Sequence, residues 1–313
     1  MIFMARGHAL SEGHDKRLIV RYFISNFTFL FTHGRKAIYS LPSMGSLENP
    51  LTASPPREIW LPNAPLVRVI TQISFPPVVS ISKPEFIAPF QEALRSVYPV
   101  LRPEQAFGFV FANVPAATPP TPQTQTTWRF NDSANAWRVS LAPNFLAIET
   151  TAYKSKVDFV ERASLVVNAL GEHINPQVVD RIGLRFIDRV VGAPIKNLDK
   201  FVRSEVVGVL MSEAAPSVQH ALSECLFDAP KEDAQFLARW GRLPSNATHD
   251  PAAVEGIGEP SWILDLDMFS TKAGAFTAKN VLERIGNYAD RIYTFFRWAV
   301  TDEFLKLYGG TLG

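Results

Sequence analysis

The residues of this chain best suited to chemistry are three arginines spaced four apart, Arg181, Arg185 and Arg189. They lie on a stretch that alternates at period two. Ile182, Leu184, Phe186 and Val190 fall on one side, and Arg181, Gly183, Arg185 and Arg189 on the other, the pattern of a half-buried β-strand. Ile187 and Asp188 interrupt the alternation and read as the place where the strand ends. Guanidinium groups on a sheet face require acceptors. Asp265 and Asp267 alternate with Leu264 and Leu266, so both carboxylates share one face of another strand, and Glu149 supplies a third. Two arrangements follow. The charges neutralise one another in a salt-bridge network, the commoner role of a polar sheet face. Alternatively Arg181, Arg185, Arg189, Glu149, Asp265 and Asp267 line a site in which the arginines hold a phosphate or carboxylate bidentately.

Other chemistries lack their residues. His173, His220 and His249 are scattered and show no paired-ligand spacing, so no metal site is expected and packed or solvated histidines are the default. No Gly-x-Ser-x-Gly elbow occurs. Gly256-Ile257-Gly258 lacks the third glycine of a phosphate loop and precedes a strand, so no cofactor is expected. Cys225, the single cysteine, excludes an intrachain disulfide framework and reads as a packed core thiol. Trp128, Phe130 and Trp137 flank a hairpin and could stack on bases or a peptide, although core packing is the usual role of such residues.

The elements that must position these residues follow from periodicity and turn signals. A strand over Leu66–Phe75, with Val67, Val69, Ile73 and Phe75 on one side, is stopped by Pro76-Pro77. A helix follows, capped by Ser82 with Glu85 and carrying Phe86, Phe90, Leu94 and Val97, with Pro89 inside it. Phe107–Phe111 is a short strand, and the Pro- and Thr-rich residues 115–126 are a loop. Strands at Thr127–Phe130, Trp137–Leu141 and Phe145–Tyr153 lead to a helix capped by Ser155. After the arginine strand the order repeats. A helix capped by Asn197 runs through Leu210, and strands cover Gln219–Phe227, Gln235–Leu243 and Trp262–Phe269. Residues 244–260 form a polar loop before the last strand. A long helix capped by Thr277 and a short one after Thr301 close the chain, with the aromatic residues Tyr293, Phe295, Phe296 and Trp298 expected to be buried between the two halves.

The expected fold is therefore α+β, with two tandem βαβββα-like units about a pseudo-dyad, antiparallel sheet, and helices packed on one face. The units span 66–178 and 179–313, behind an extended lead-in at 44–65. Residues 1–43 carry six basic residues against two acidic ones, a surplus of +4, so the rest nets −3 of the overall +1. Their apolar run, broken by Arg21, reads as an extension ahead of a working initiator at Met44, as a signal peptide, or as an amphipathic membrane-surface segment. The acidic body argues against nucleic-acid binding by a saddle-like sheet. No run reaches the ~18–20 apolar residues of a membrane span, and one cysteine fits a cytoplasmic location.

Several segments together resemble an uncharacterised, sporadically distributed bacterial family. They are Leu61-Pro62-Asn63-Ala64-Pro65-Leu66-Val67, Asn144 through Tyr153, Arg181 through Arg189, Leu264-Asp265-Leu266-Asp267, and Phe296 through Asp302. The resemblance runs from about Leu61 to the C-terminus and implies no known activity. It implies a start shortly before the Pro-Asn-Ala-Pro motif, and a Leu-His pair in relatives where Tyr288-Ala289 stand here. The functional expectation is a non-catalytic protein that binds a protein partner or an anionic small molecule, associated with defence or toxin neutralisation. The alternative is an enzyme acting on a phosphorylated or carboxylated small molecule through the arginine face.

Overall fold

A computed structural model describes residues 48–109, 122–270 and 272–312, without the side chains of 105–109 and 122–125. The expectations for residues 1–43, including His8, His14 and His33, lie outside the described residues. Strands β1 (Leu66–Ser74), β2 (Val100–Phe109), β3 (Pro122–Asn131), β4 (Trp137–Ala142) and β5 (Phe145–Thr150) precede the arginine strand. A two-residue β6 (Val178–Val179) leads into it, and it is β7 (Arg181–Val191). Three more long strands follow, β8 (Ala221–Ala229), β9 (Ala234–Leu243) and β10 (Ser261–Ser270). Among the described residues, nine of these form one antiparallel sheet in the order β2-β3-β4-β5-β1-β7-β10-β9-β8. The order reads outward alike from the central β1–β7 pair. β5, β4 and β3 lie to one side and β10, β9 and β8 to the other, with β2 added at one edge. The fold is α+β, with β1 and β7 at the centre of the sheet.

Alternation decides the faces. Val69, Ile73, Ile148, Val139, Phe130, Leu184, Leu266, Met268 and Phe236 point to one side and are fully buried. Onto that side pack α1 (Pro84–Leu94), α2 (Lys156–Ala169) and α5 (Ala278–Ala299), whose stripes enter the same core. Ser155 and Thr277 cap α2 and α5 as the sequence predicts, each side chain accepting the N–H three residues on. Trp128, Phe130 and Trp137 are core residues, which removes them as a stacking platform. Phe295 and Phe296 are buried too, against β8 and β9 and against α6 (Asp302–Leu307).

Several predicted elements differ. Ser82 is not a cap: α1 starts at Pro84, whose missing N–H falls in the first turn, where it is not needed. β2 begins directly after Pro99, and β3 extends back to Pro122, so part of the expected 115–126 loop is strand. The helix expected over 197–210 is broken into α3 (Leu198–Phe201), α4 (Ser204–Val207) and a 3-10 turn. Val202 leaves the helix to bridge Val300, and Gly208 takes a positive φ. Cys225 lies on edge strand β8 and is only half-buried.

Two departures shape the site. The arginine strand does not end at Asp188 but continues to Val191, paired throughout with β10. By parity Asp188 therefore points to the helix face and Ile187 to the other. Opposite them β1 carries a bulge: Leu66 pairs with Asp188 and Arg68 with Ile187, leaving Val67 as the extra residue. The bulge turns Leu66 to the helix face and Val67 to the opposite one, where it packs on Ile187 with Ala253 and Val254.

Candidate functional site

The arginine face lies on the side away from the helices. Across it the register sets Arg138, Glu149, Ile70, Arg185 and Asp267 side by side. Arg185 donates from Nε and Nη2 to the two oxygens of Asp265, at 2.8 and 2.7 Å, and from Nη1 to Asp250 at 2.7 Å. His249 places Nε2 2.7 Å from the same Asp265, so that nitrogen carries the proton. Burial alone would push the Asp265 carboxyl up. The hydrogen bonds from Arg185 and His249 overcome that and hold it below its ordinary range. Among the described residues Asp267 has only the longer contact to Arg181, 3.5 Å, and there burial wins and raises the carboxyl. Glu149 does not meet Arg181 or Arg185; it accepts from Arg68 and Arg138. Arg189 donates to the carbonyl of Glu255 at 2.7 Å.

These contacts share one purpose. Arg185 through Asp250, His249 through Asp265, and Arg189 through Glu255 tie the 244–260 loop down over Ile187. The polar loop recognised in the sequence is thus the cover of the arginine face. Of the candidate residues, Arg185 and Asp265 come together, Arg181 and Asp267 make a looser pair, Glu149 belongs to a separate ion pair, and Arg189 anchors the loop. The described ionisable groups include no cluster of three or more His, Cys, Asp or Glu placed to hold a metal.

A cavity of about 330 Å³ opens on the opposite, helix-covered face. Its floor is the sheet centre: Leu66 of β1, Phe186 and Asp188 of β7, and Leu266 of β10. One wall is α5, through Ala289, Ile292, Tyr293 and Phe296. Another is the turn between β5 and α2, with Tyr153 and Lys156. The lead-in crosses the mouth as a strap, contributing Ile59, Leu61 and Ala64, with Trp60 69% exposed at the edge. Proline and asparagine keep this strap extended without a partner strand. Side chains satisfy part of its backbone: Tyr293 Oη accepts from Ile59 N–H at 2.8 Å, and Arg291 donates to the carbonyls of Pro50 and Ala53 at 2.9 Å, while Asn63 N–H donates to the carbonyl of Tyr308. Gly309, at φ +83, lies so close that a Cβ there would sit 2.7 Å from Cγ of Pro62.

Asp188 is the one acid on the cavity floor. It is 6% exposed, and no hydrogen bond or ion pair to its carboxylate is found among the described residues. Burial, with a smaller contribution from Asp265, pushes its carboxyl up to about 7. Tyr308 is pushed up to about 12 by burial and by Asp188. At the rim Lys156 pairs with Asp290 at 2.6 Å. Tyr153, set edge-on to Phe186 with ring centroids 5.2 Å apart, is raised by burial and then by the acids Glu58, Asp158 and Asp290.

The sequence held one sign of this site. Positions 182, 184, 186, 188 and 190 share a face, so an aspartate at 188 falls in an apolar register. The five segments quoted above for the family resemblance each place a residue here: Leu61, Ala64 and Leu66; Tyr153; Phe186 and Asp188; Leu266; and Phe296. No protein-family model matches the chain, and no curated protein matches it significantly. No described helix is long and apolar enough to cross a membrane.

The strap gives a direct expectation. Arg291 is 5% exposed, donates from Nε and Nη2 to Glu232 at 2.9 and 2.8 Å, and holds two strap carbonyls. Arg291→Met removes all of these bonds while keeping the apolar stem. Limited proteolysis of the variant is expected to cut within residues 50–60 about tenfold faster than in the parent chain, the signature of local rather than global opening. Equal cleavage rates would mean the strap is held without Arg291, by its apolar contacts and the bond to Tyr293.

Proposed function

We propose that this protein binds a small organic molecule in the cavity over Asp188, without transforming it. The observation that carries this reading is a buried carboxylate, without a partner among the described residues, on the floor of an apolar cavity. Burying an ionisable group unpaired is costly, and proteins retain such groups where a ligand completes them. The cavity's volume falls in the lower part of the ~300–1,000 Å³ range of small-molecule sites, and its mostly apolar lining with few polar groups fits the same class. A non-catalytic role is favoured because, among the described residues, Asp188 has neither a nucleophile nor a second acid or base at hydrogen-bond distance. The arginine face offers less to an anionic ligand or partner, since its guanidiniums are engaged by carboxylates or by the covering loop.

The test is a ligand-observed NMR screen of small organic fragments against the full chain and against Ala64→Trp. Ala64 is exposed on the strap, so a tryptophan there can fill the mouth without entering the core. Fragments that bind the parent are expected to lose binding in the variant; binding that persists unchanged would place the site elsewhere. A second reading makes Asp188 a general acid or base, because a carboxyl held near 7 is suited to proton transfer at neutral pH. Chemical change in a bound fragment, absent in Asp188→Asn, would select it.

A further inference from the structure

We infer that the ligand of this cavity is an organic cation, with an apolar and preferably aromatic body and a single protonated or quaternary nitrogen seated against the Asp188 carboxylate. This rests on the reading of the cavity as the binding site and goes on to specify what enters it.

Three observations converge. The first is the unmet acceptor. Asp188 is 6% exposed, it lines the cavity, and among the described residues no group donates to its carboxylate. A ligand nitrogen placed there makes a charge-assisted hydrogen bond in a site largely free of water, where such bonds are strong. An anion would face a like charge at the same place.

The second is the balance of charge around the walls. Of the two rim lysines, Lys156 is neutralised by Asp290 at 2.6 Å, and Lys154 is exposed. The acids Glu58, Asp158 and Asp290 all act on Tyr153, and each makes its hydroxyl harder to ionise. Asp265, across the sheet, adds to the negative potential at Asp188. Along the lining Glu58 and Asp290 balance Lys154 and Lys156, so Asp188 sets the sign of the cavity.

The third is the lining. Tyr153, Phe186, Tyr293 and Phe296 surround the space above the carboxylate. Aromatic rings stabilise ammonium groups through their quadrupoles as well as packing on an apolar body. A carboxylate at the base of an aromatic enclosure serves both ends of such a molecule.

The experiment uses three probes of one shape on the full chain: phenethylamine, phenethyl alcohol and hydrocinnamate, which differ in charge. Isothermal titration at pH 8 is expected to give the amine an affinity about tenfold or more above the alcohol, with no binding of the anion. Between pH 8 and pH 6 the amine's affinity is expected to fall about tenfold as Asp188 takes up a proton, while the alcohol's stays constant. The charged and titratable groups facing Asp188 are Tyr308 behind it, Asp265 across the sheet, Tyr153, Lys154 and Lys156 beside α2, Glu58 on the strap, and Asp290 and Tyr293 on α5. Among the described residues no histidine lines the cavity. Asp188→Asn is expected to bind amine and alcohol alike.

The outcomes separate the two claims. Equal affinities for amine and alcohol in the parent chain, or a preference for the amine that survives Asp188→Asn, overturn the cation assignment and leave the cavity as a binding site for neutral molecules. Failure of all three probes to bind a cooperatively folded chain overturns the cation assignment and the cavity reading together.

Discussion

Asp188→Asn is expected to make the protein more stable at pH 8 than the parent chain and to remove part of its pH dependence. Burial raises the Asp188 carboxyl from its ordinary 3.8 to about 7 in the folded chain. Between those values the folded state holds a proton that the unfolded state has lost, so stability falls as pH rises from about 4 to about 7. At pH 8 the folded protein carries a charge it cannot solvate. The full shift corresponds to about 4 kcal/mol, of which roughly 2–3 kcal/mol accrues between pH 5 and pH 8. Asparagine has nearly the same shape and no charge to bury. Thermal unfolding of both proteins across that range should therefore show the variant gaining on the parent by roughly 5–10 °C as pH rises. Parallel curves would mean that water or an unseen partner already solvates Asp188, and the argument for a ligand-completed carboxylate would fail with them.

Stability lost at Asp188 is what a binding site would be expected to show. A core residue chosen for folding alone would be apolar at this register position, as Leu184 and Phe186 are beside it. The neighbouring bulge in β1 points the same way, because it breaks the phase of the strand at the one place where Leu66 must face the cavity and Arg68 must reach Glu149.

Much of the fold was legible because its signals are local. Ser155 and Thr277 cap their helices, and β4, β9 and β10 fall within one residue of their predicted bounds. What was not legible depends on the third dimension. Asp188 looked like a strand end because polarity, not parity, guided the reading, and nothing local says that a strand continues past an acidic residue. Val67 was assigned to the core because a bulge leaves no mark in a run of alternating residues. The pairing of Arg185 with Asp265 could be proposed from strand parity. The role of Asp250 and His249 could not, since it depends on how a polar loop folds back. The strap is the clearest case: its prolines foretell an extended chain and say nothing of the helix it crosses.

The arginine face makes the opposite prediction to the cavity. Arg185→Met is expected to destabilise the protein by about 3 kcal/mol at pH 8, because it leaves Asp265, with no exposed surface, short of its main partner and releases Asp250. Arg239 at 3.6 Å and His249 remain near Asp265, which keeps the loss at the lower end of the usual range for a broken buried pair. The pH dependence should also change sign at this residue. In the parent chain the lowered Asp265 carboxyl contributes stability that is present above its ordinary value and lost as pH falls from there through the lowered one. Without Arg185, burial dominates and raises the carboxyl, so the variant's deficit should shrink toward acid pH. Faster exchange of the amides in residues 244–260 would locate the damage in the loop that Arg185 clamps. Binding of the amine probe should stay within about twofold of the parent, because the guanidinium and the cavity lie on opposite faces of the sheet. A folded Arg185→Met protein that no longer binds the amine would instead make this arginine part of the site, and the division of the sheet into a bracing face and a binding face would have to be abandoned.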